Sequence, residues 1–249
     1  MNSESLPHNE PAPPERQPFW GYRDLFMLIG LSLPCLLGGI VIAKALSVLF
    51  SVPVNRKALV VLPATFLGYG LLFLALYLIL RMQYGRPFWV SLAWIRGPQP
   101  VSVVILCGVL LALAVGLLGH LLRTPDIESP MKDLLKDRTS ILLVAFFATT
   151  LGPVCEELVF RGFAQPLLVR SLGVVPGILA TAIPFGLLHL EQYSFSWRHG
   201  LLISLAGAAF GWARHRWGST AQAALMHAAY NLTFFVAYLA QTKDLPKTW

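Results

Sequence analysis

Seven apolar segments, the sixth of them short, constrain this chain more than any other feature of its sequence. A helix needs roughly 20 apolar residues to cross the hydrocarbon core of a bilayer, and the first segment contains no charged side chain. The segments are 25–43, 58–80, 101–122, 140–169, 172–190, 199–213 and 219–241. The sequence therefore predicts an all-α, polytopic transmembrane bundle of about seven membrane helices.

Composition and charge agree with a membrane protein. Only 12% of the residues are charged, against about 25% in soluble domains. The net charge of +7 comes from bases in short loops between the apolar segments, where Lys and Arg set membrane topology. We therefore predict a lipid bilayer as partner and no nucleic acid. Cys35, Cys107 and Cys155 all lie in apolar segments and predict neither disulfides nor a metal cluster.

The chain is predicted to fall into three parts. Residues 1–18 are rich in Pro, Glu, Ser and Asn and predict a disordered N-terminal tail. This tail lacks the basic region and cleavage site of a signal peptide, so the first helix is expected to remain as an anchor. Residues 19–137 would form N-terminal membrane helices and interfacial loops. Residues 138–249 would form a membrane core that carries most of the intramembrane polar residues.

The segment PVCEELVFRGF, residues 153–163, places three charged residues inside the fourth apolar segment. Each ionised residue at the centre of a membrane helix costs about 2.5–3.5 kcal/mol, so these side chains should face the bundle interior. Glu157 and Arg161 are four residues apart and should pair on one helix face. Glu156 points about 100° away and stays free for another partner. Pro153 should kink the helix beside it.

Two further pairs of residues share this four-residue spacing. Phe185 and His189 lie near the end of the fifth segment, and His227 and Asn231 lie inside the seventh. Alone, a membrane histidine, an asparagine or a Glu–Arg pair is compatible with simple packing or a structural lock. Their concentration in the last four helices, which would form the core, favours a functional site.

The sixth segment contains GAAFG, from Gly207 to Gly211. This GxxxG spacing lets another helix approach closely. We predict that it packs internally against neighbouring helices rather than forming a dimer contact.

The chemistry that these groups support is activation of a water molecule. A positioned glutamate can act as a general base, and an imidazole can hold the water or assist proton transfer. Amide and imidazole donors can stabilise the oxyanion of an attacked amide. The sequence contains neither GxSxG nor HExxH. A zinc site built from Glu156, His189 and His227 on separate helices stays open.

Together these motifs resemble the CPBP intramembrane proteases, the CAAX prenyl endopeptidase and bacteriocin-processing family that is also called the Abi family. The resembling motifs are EExxxR from Glu156 to Arg161, FxxxH from Phe185 to His189, and HxxxN from His227 to Asn231. They occur in the family's order, and the resemblance covers roughly residues 138–241. The first three apolar segments carry no matching motif.

The resemblance implies an endopeptidase that cuts a membrane-associated protein or peptide, with the last four helices as its catalytic core. Glu156 and His189 would activate the water, and His227 and Asn231 would stabilise the oxyanion. The remaining motif residues would support the site, with Glu157 and Arg161 holding the helix and Phe185 binding substrate. The favoured glutamate mechanism requires no cofactor, whereas a metallo-type mechanism would use zinc.

Two alternatives stay open at this stage. One is a non-catalytic membrane scaffold such as a bacteriocin-immunity factor, although intact motifs speak against it. The other is a proton-coupled transporter, although the chain shows none of the internal repeat symmetry usual in carriers. The expected location is a bacterial inner membrane, and the sequence defines no oligomeric state.

Overall fold

The computed structural model describes residues 17–53, 57–125, 134–135 and 137–242, and within them it contains helices and no strand. A 3₁₀ turn, Glu191–Tyr193, follows the helix that ends at Leu188. The helices are α1 (Tyr22–Leu49), α2 (Ala58–Gln83), α3 (Phe88–Ser91), α4 (Val101–Leu121), α5 (Arg138–Leu172), α6 (Val174–Leu188), α7 (Trp197–Trp217) and α8 (Thr220–Gln241). The predicted all-α class is confirmed.

A helix covers each of the seven predicted positions, but the count of seven membrane spans is not confirmed. Five helices are long and apolar enough to cross a membrane, namely α1, α2, α4, α5 and α8. Helix α6 has 15 residues, which at 1.5 Å per residue gives about 22 Å, short of the roughly 30 Å hydrocarbon core. Helix α7 is less apolar because it carries Arg198, Arg214 and Arg216 near its ends.

The outward faces of the spanning helices are apolar. On α1, Phe26 and Leu33 are 67% and 63% exposed, and α4 exposes Leu113 and Leu117 to a similar extent. Large exposed apolar surface is normal where lipid replaces water as the solvent. The protein is therefore an integral, multi-pass membrane protein.

Two apolar clusters form the core, and each joins the N-terminal helices to the C-terminal part of the chain. One cluster packs Trp20 and residues of α1 and α2 against Phe163 and Leu167 of α5. The other packs Val104 and Val115 of α4 against α7 and α8. The predicted division at residue 137 stays a prediction. Of the predicted tail, residues 1–16 lie outside the described residues.

Helices α4 and α8 cross at Gly108. A Cβ added at Gly108 would overlap the carbonyl oxygen of Met226 and lie 2.8 Å from the Cβ of Ala229. Only glycine permits this approach of the two backbones. Since His227 follows Met226 directly, the crossing helps to fix where the His227 imidazole lies.

We predict that Gly108→Ala lowers the thermal unfolding midpoint, because one methyl group must push α4 away from α8. Overpacking of this kind costs about 1–3 kcal/mol. Gly116→Ala on the same helix is the matched control, because a Cβ there meets only the Phe234 ring at 3.8 Å. Thermal unfolding of both variants in detergent measures the effect. Equal midpoints would show that the crossing is not tight.

Candidate active site

Helix α5 changes its winding on both sides of the two glutamates. Residues Phe147–Leu151 and Leu158–Ala164 are π-helical, and an α-helical turn, Gly152–Glu157, lies between them. Pro153 falls in the first turn after the first π segment and lacks the N–H that a regular helix would use. π-helical turns inside α-helices frequently occur at functional sites.

Side chains from distant elements bond to a carbonyl in each π segment. The Asn231 amide on α8 donates to the carbonyl oxygen of Ala148 at 2.8 Å. The Trp20 indole N–H donates to the carbonyl oxygen of Phe163 at 3.0 Å. Backbone groups inside a membrane protein must find internal partners. These two bonds therefore help to satisfy the altered backbone of α5.

The predicted Glu157–Arg161 pair forms and is completely buried. Arg161 Nη1 lies 2.9 Å from Glu157 Oε1, and both side chains are 0% exposed. The other terminal nitrogen, Nη2, donates to the carbonyl oxygen of Gly207 on α7 at 2.8 Å. The guanidinium also lies 4.5 Å from the centre of the Phe185 ring. An ion pair enclosed in this way fixes α5 against α6 and α7.

The GAAFG segment of α7 packs internally, as its spacing predicted. Gln165 on α5 donates to the carbonyl oxygen of Gly211 at 2.8 Å, one helical turn beyond the bond from Arg161 to Gly207. A Cβ at Gly207 would lie 3.0 Å from the Arg161 guanidinium and 3.0 Å from the Phe185 ring. The two glycines therefore let the polar side chains of α5 reach the α7 backbone.

Glu156 faces two imidazoles, one directly after the end of α6 and one on α8. Its Oε1 lies 4.0 Å from His189 Nε2, and its Oε2 lies 3.9 Å from His227 Nε2. The Glu156 side chain is 19% exposed and that of His189 is 20% exposed, whereas that of His227 is 5% exposed. The structure thus brings these three sequence-predicted side chains together at a partly open position.

The hydrogen-bond partners of the two imidazoles define their tautomers. His189 Nδ1 lies 2.7 Å from the carbonyl oxygen of Phe185, which can only accept, so this nitrogen carries a proton. His227 Nδ1 lies 3.0 Å from Glu157 Oε1 and donates to that carboxylate. In the neutral imidazoles both Nε2 atoms therefore present lone pairs toward Glu156. Their separations from the Glu156 oxygens exceed direct hydrogen-bond length and suit a bridging water.

The donor types at this position match a zinc site, but their arrangement does not. Two imidazoles and a carboxylate are the ligands of several catalytic zinc centres, and Glu156, His189 and His227 would supply them. Among the residues that the structure describes, however, no three His, Cys, Asp or Glu side chains are arranged as metal ligands.

Asn231 and Phe185 make contacts within the protein, and the roles expected of them stay predictions. The Asn231 amide is engaged with the Ala148 carbonyl, which leaves its second N–H for any other acceptor. Phe185 is 2% exposed and packs edge-on against His227 and close to His189. Its role in substrate binding stays a prediction without support from this placement.

Sequence reasoning missed Tyr69 on α2. Its hydroxyl donates to Glu156 Oε1 at 3.3 Å. The available signal was a hydroxyl in the middle of the apolar run TFLGYGLLF, the kind of polar group that singled out the histidines.

We predict that Arg161→Leu destabilises the fold by about 3–5 kcal/mol, because it leaves the Glu157 carboxylate buried without its cation. The double variant Glu157→Leu/Arg161→Leu should recover part of this loss, since neither charge is then buried. Unfolding of both proteins in the same detergent gives the comparison. A single variant as stable as the native protein would show that the pair contributes nothing.

One comparison with known proteins gives a match. Residues 138–233 match the family model of type II CAAX prenyl endopeptidases that are Rce1-like. Comparison with curated proteins and with solved structures gives no match. The matched range contains all three motifs, and with them Glu156 and the two imidazoles that face it. It confirms the resemblance to the CPBP and CAAX proteases over residues 138–233, which are similar to the Rce1-like type II CAAX prenyl endopeptidases.

Proposed function

We propose that the protein is a membrane endopeptidase that hydrolyses a peptide bond in a membrane-associated protein or peptide. The observation that carries the proposal is the placement of Glu156 opposite the Nε2 atoms of His189 and His227, at 4.0 and 3.9 Å. The match of residues 138–233 to CAAX prenyl endopeptidases supports the same reaction class. A bacterial inner membrane is the proposed location and stays a prediction.

In the proposed reaction, Glu156 is the general base. A water held between Glu156 and His189 gives a proton to the Glu156 carboxylate while its oxygen bonds to the scissile carbonyl carbon. Glu156 then delivers this proton to the departing amide nitrogen as the carbon–nitrogen bond breaks. The products are a carboxylic acid and an amine, and Glu156 returns to its starting form.

His227 and Asn231 would stabilise the tetrahedral intermediate. When protonated on Nε2, His227 can donate to the oxyanion while its Nδ1 proton stays on the Glu157 carboxylate. The second N–H of Asn231 can serve the same oxygen. Removing one such donor typically costs about 10²–10³ in kcat.

We predict that Glu156→Gln keeps the fold but abolishes cleavage, because the nearly isosteric amide cannot accept the proton. The rate should fall by about 10²–10⁴, the usual contribution of a general base. Purified protein in liposomes would be assayed with a quenched farnesylated peptide ending in a CAAX tetrapeptide and with its unprenylated counterpart. Proteomics of membrane peptides from cells that express either form extends the search to other substrates.

Glu157→Gln and Glu191→Gln complete this series. The first should lower the stability of the fold more than the cleavage rate, because it removes the carboxylate that bonds to Arg161 and His227. The second alters an exposed residue in the turn after α6 and should leave both the stability and the cleavage rate unchanged. Cleavage by Glu156→Gln at the native rate would contradict the assignment of Glu156 as the general base. Loss of activity in Glu157→Gln alone would exchange the roles of the two glutamates.

We further propose a glutamate mechanism that requires no cofactor. Cleavage should therefore persist in 1,10-phenanthroline and after dialysis against EDTA. Metal analysis of the purified protein would accompany the assay. Loss of activity on chelation that added zinc restores would instead establish the metallo-type mechanism, with Glu156, His189 and His227 as ligands.

A further inference from the structure

Tyr69 lies outside the residues matched to the protease family, yet its hydroxyl contacts the proposed general base. The hydroxyl oxygen is 3.3 Å from Glu156 Oε1, the same oxygen that lies 4.0 Å from His189 Nε2. This separation is longer than the usual 2.7–2.8 Å of an O–H···O bond. Hydrogen bonds at catalytic groups are often long before substrate binds and tighten in the reacting complex.

One contact of the Tyr69 ring and one close contact of the α2 backbone beside it define where Tyr69 lies. On one side it stacks against Phe147, with ring centres 6.1 Å apart and an interplanar angle of 23°. Phe147 begins the first π segment of α5, just ahead of the glutamates. The neighbouring Gly68 packs tightly on α1, where a Cβ would lie 3.0 Å from the Leu36 side chain. The close α1–α2 contact thus fixes the position from which Tyr69 reaches Glu156.

Tyr69 offers Glu156 a hydrogen-bond donor, which the neutral imidazoles do not. Both Nδ1 atoms use their protons on Phe185 and Glu157, so neither neutral imidazole can donate to Glu156 from Nε2. Within the described residues, Tyr69 is the one hydrogen-bond donor to the Glu156 carboxylate. A hydrogen bond to Oε1 restricts rotation of the carboxylate and keeps its oxygens facing the two imidazoles.

We propose that Tyr69 is a positioning residue that orients Glu156 for water activation, so that α2 forms part of the site. This inference rests on the proposed function. It extends the site beyond residues 138–233 to the N-terminal helices. Tyr69 acts through Glu156 and has no direct role at the reacting atoms.

The kinetic test compares Tyr69→Phe with Tyr77→Phe. The first removes the hydroxyl but keeps the ring on Phe147, whereas the second removes a hydroxyl from a half-exposed ring two turns further along α2. Tyr69→Phe should lower kcat by up to about 10²-fold, the loss that a misplacement of about 1 Å can cause. Its KM for the quenched peptide and its unfolding midpoint should stay native. A native kcat, or a loss that merely follows a lower unfolding midpoint, would overturn the inference.

An infrared measurement tests the contact independently of activity. The carboxyl band that disappears in Glu156→Gln belongs to Glu156, and it should shift in Tyr69→Phe but not in Tyr77→Phe. An unshifted band in Tyr69→Phe overturns the inference whether or not the protein cleaves peptides. A wild-type protein that cleaves no peptide counts against the proposed function, and the band shift then decides the Tyr69 contact by itself.

Discussion

The ion pair between Glu157 and Arg161 is the interaction on which the rest of the structure depends. Two charges on a membrane helix are tolerated only where protein encloses them, because each exposed to hydrocarbon costs about 2.5–3.5 kcal/mol. Here both side chains are completely buried, and each of them also bonds to a group outside the pair. Glu157 accepts from His227 on α8, and Arg161 donates to the backbone of α7 at Gly207. One buried pair therefore connects α5 to both α7 and α8.

Pairing of one glutamate leaves its neighbour available for chemistry. Adjacent residues on a helix point about 100° apart, so the carboxylate beside Glu157 faces a different space, partly open and lined by imidazoles. The same pair also orients the His227 ring. Glu157 accepts the Nδ1 proton of His227, so Nε2 faces Glu156. Structural and chemical tasks are thus divided between two consecutive side chains. Removal of either carboxylate should damage a different property of the protein.

The helical period and hydropathy predicted much of this arrangement from sequence. Seven apolar segments coincide with helices, and the i, i+4 spacing correctly paired Glu157 with Arg161. The π-helical turns were not predictable, because they depend on donors far along the chain, such as Asn231 for the carbonyl of Ala148. Tyr69 was missed for a similar reason, since 87 residues separate it from Glu156. The count of seven membrane spans stays unconfirmed, because hydropathy alone does not show that α6 has only 15 residues.

The most direct test of the account is an experimental structure of the Glu156→Gln protein in lipid with an uncleaved substrate peptide. The account predicts that the scissile carbonyl carbon lies within reach of a water held by the side chains at positions 156 and 189, at roughly the 3–3.5 Å of a near-attack geometry. The carbonyl oxygen should point toward His227 and Asn231. A peptide bound with its scissile bond away from these side chains would contradict the proposed site.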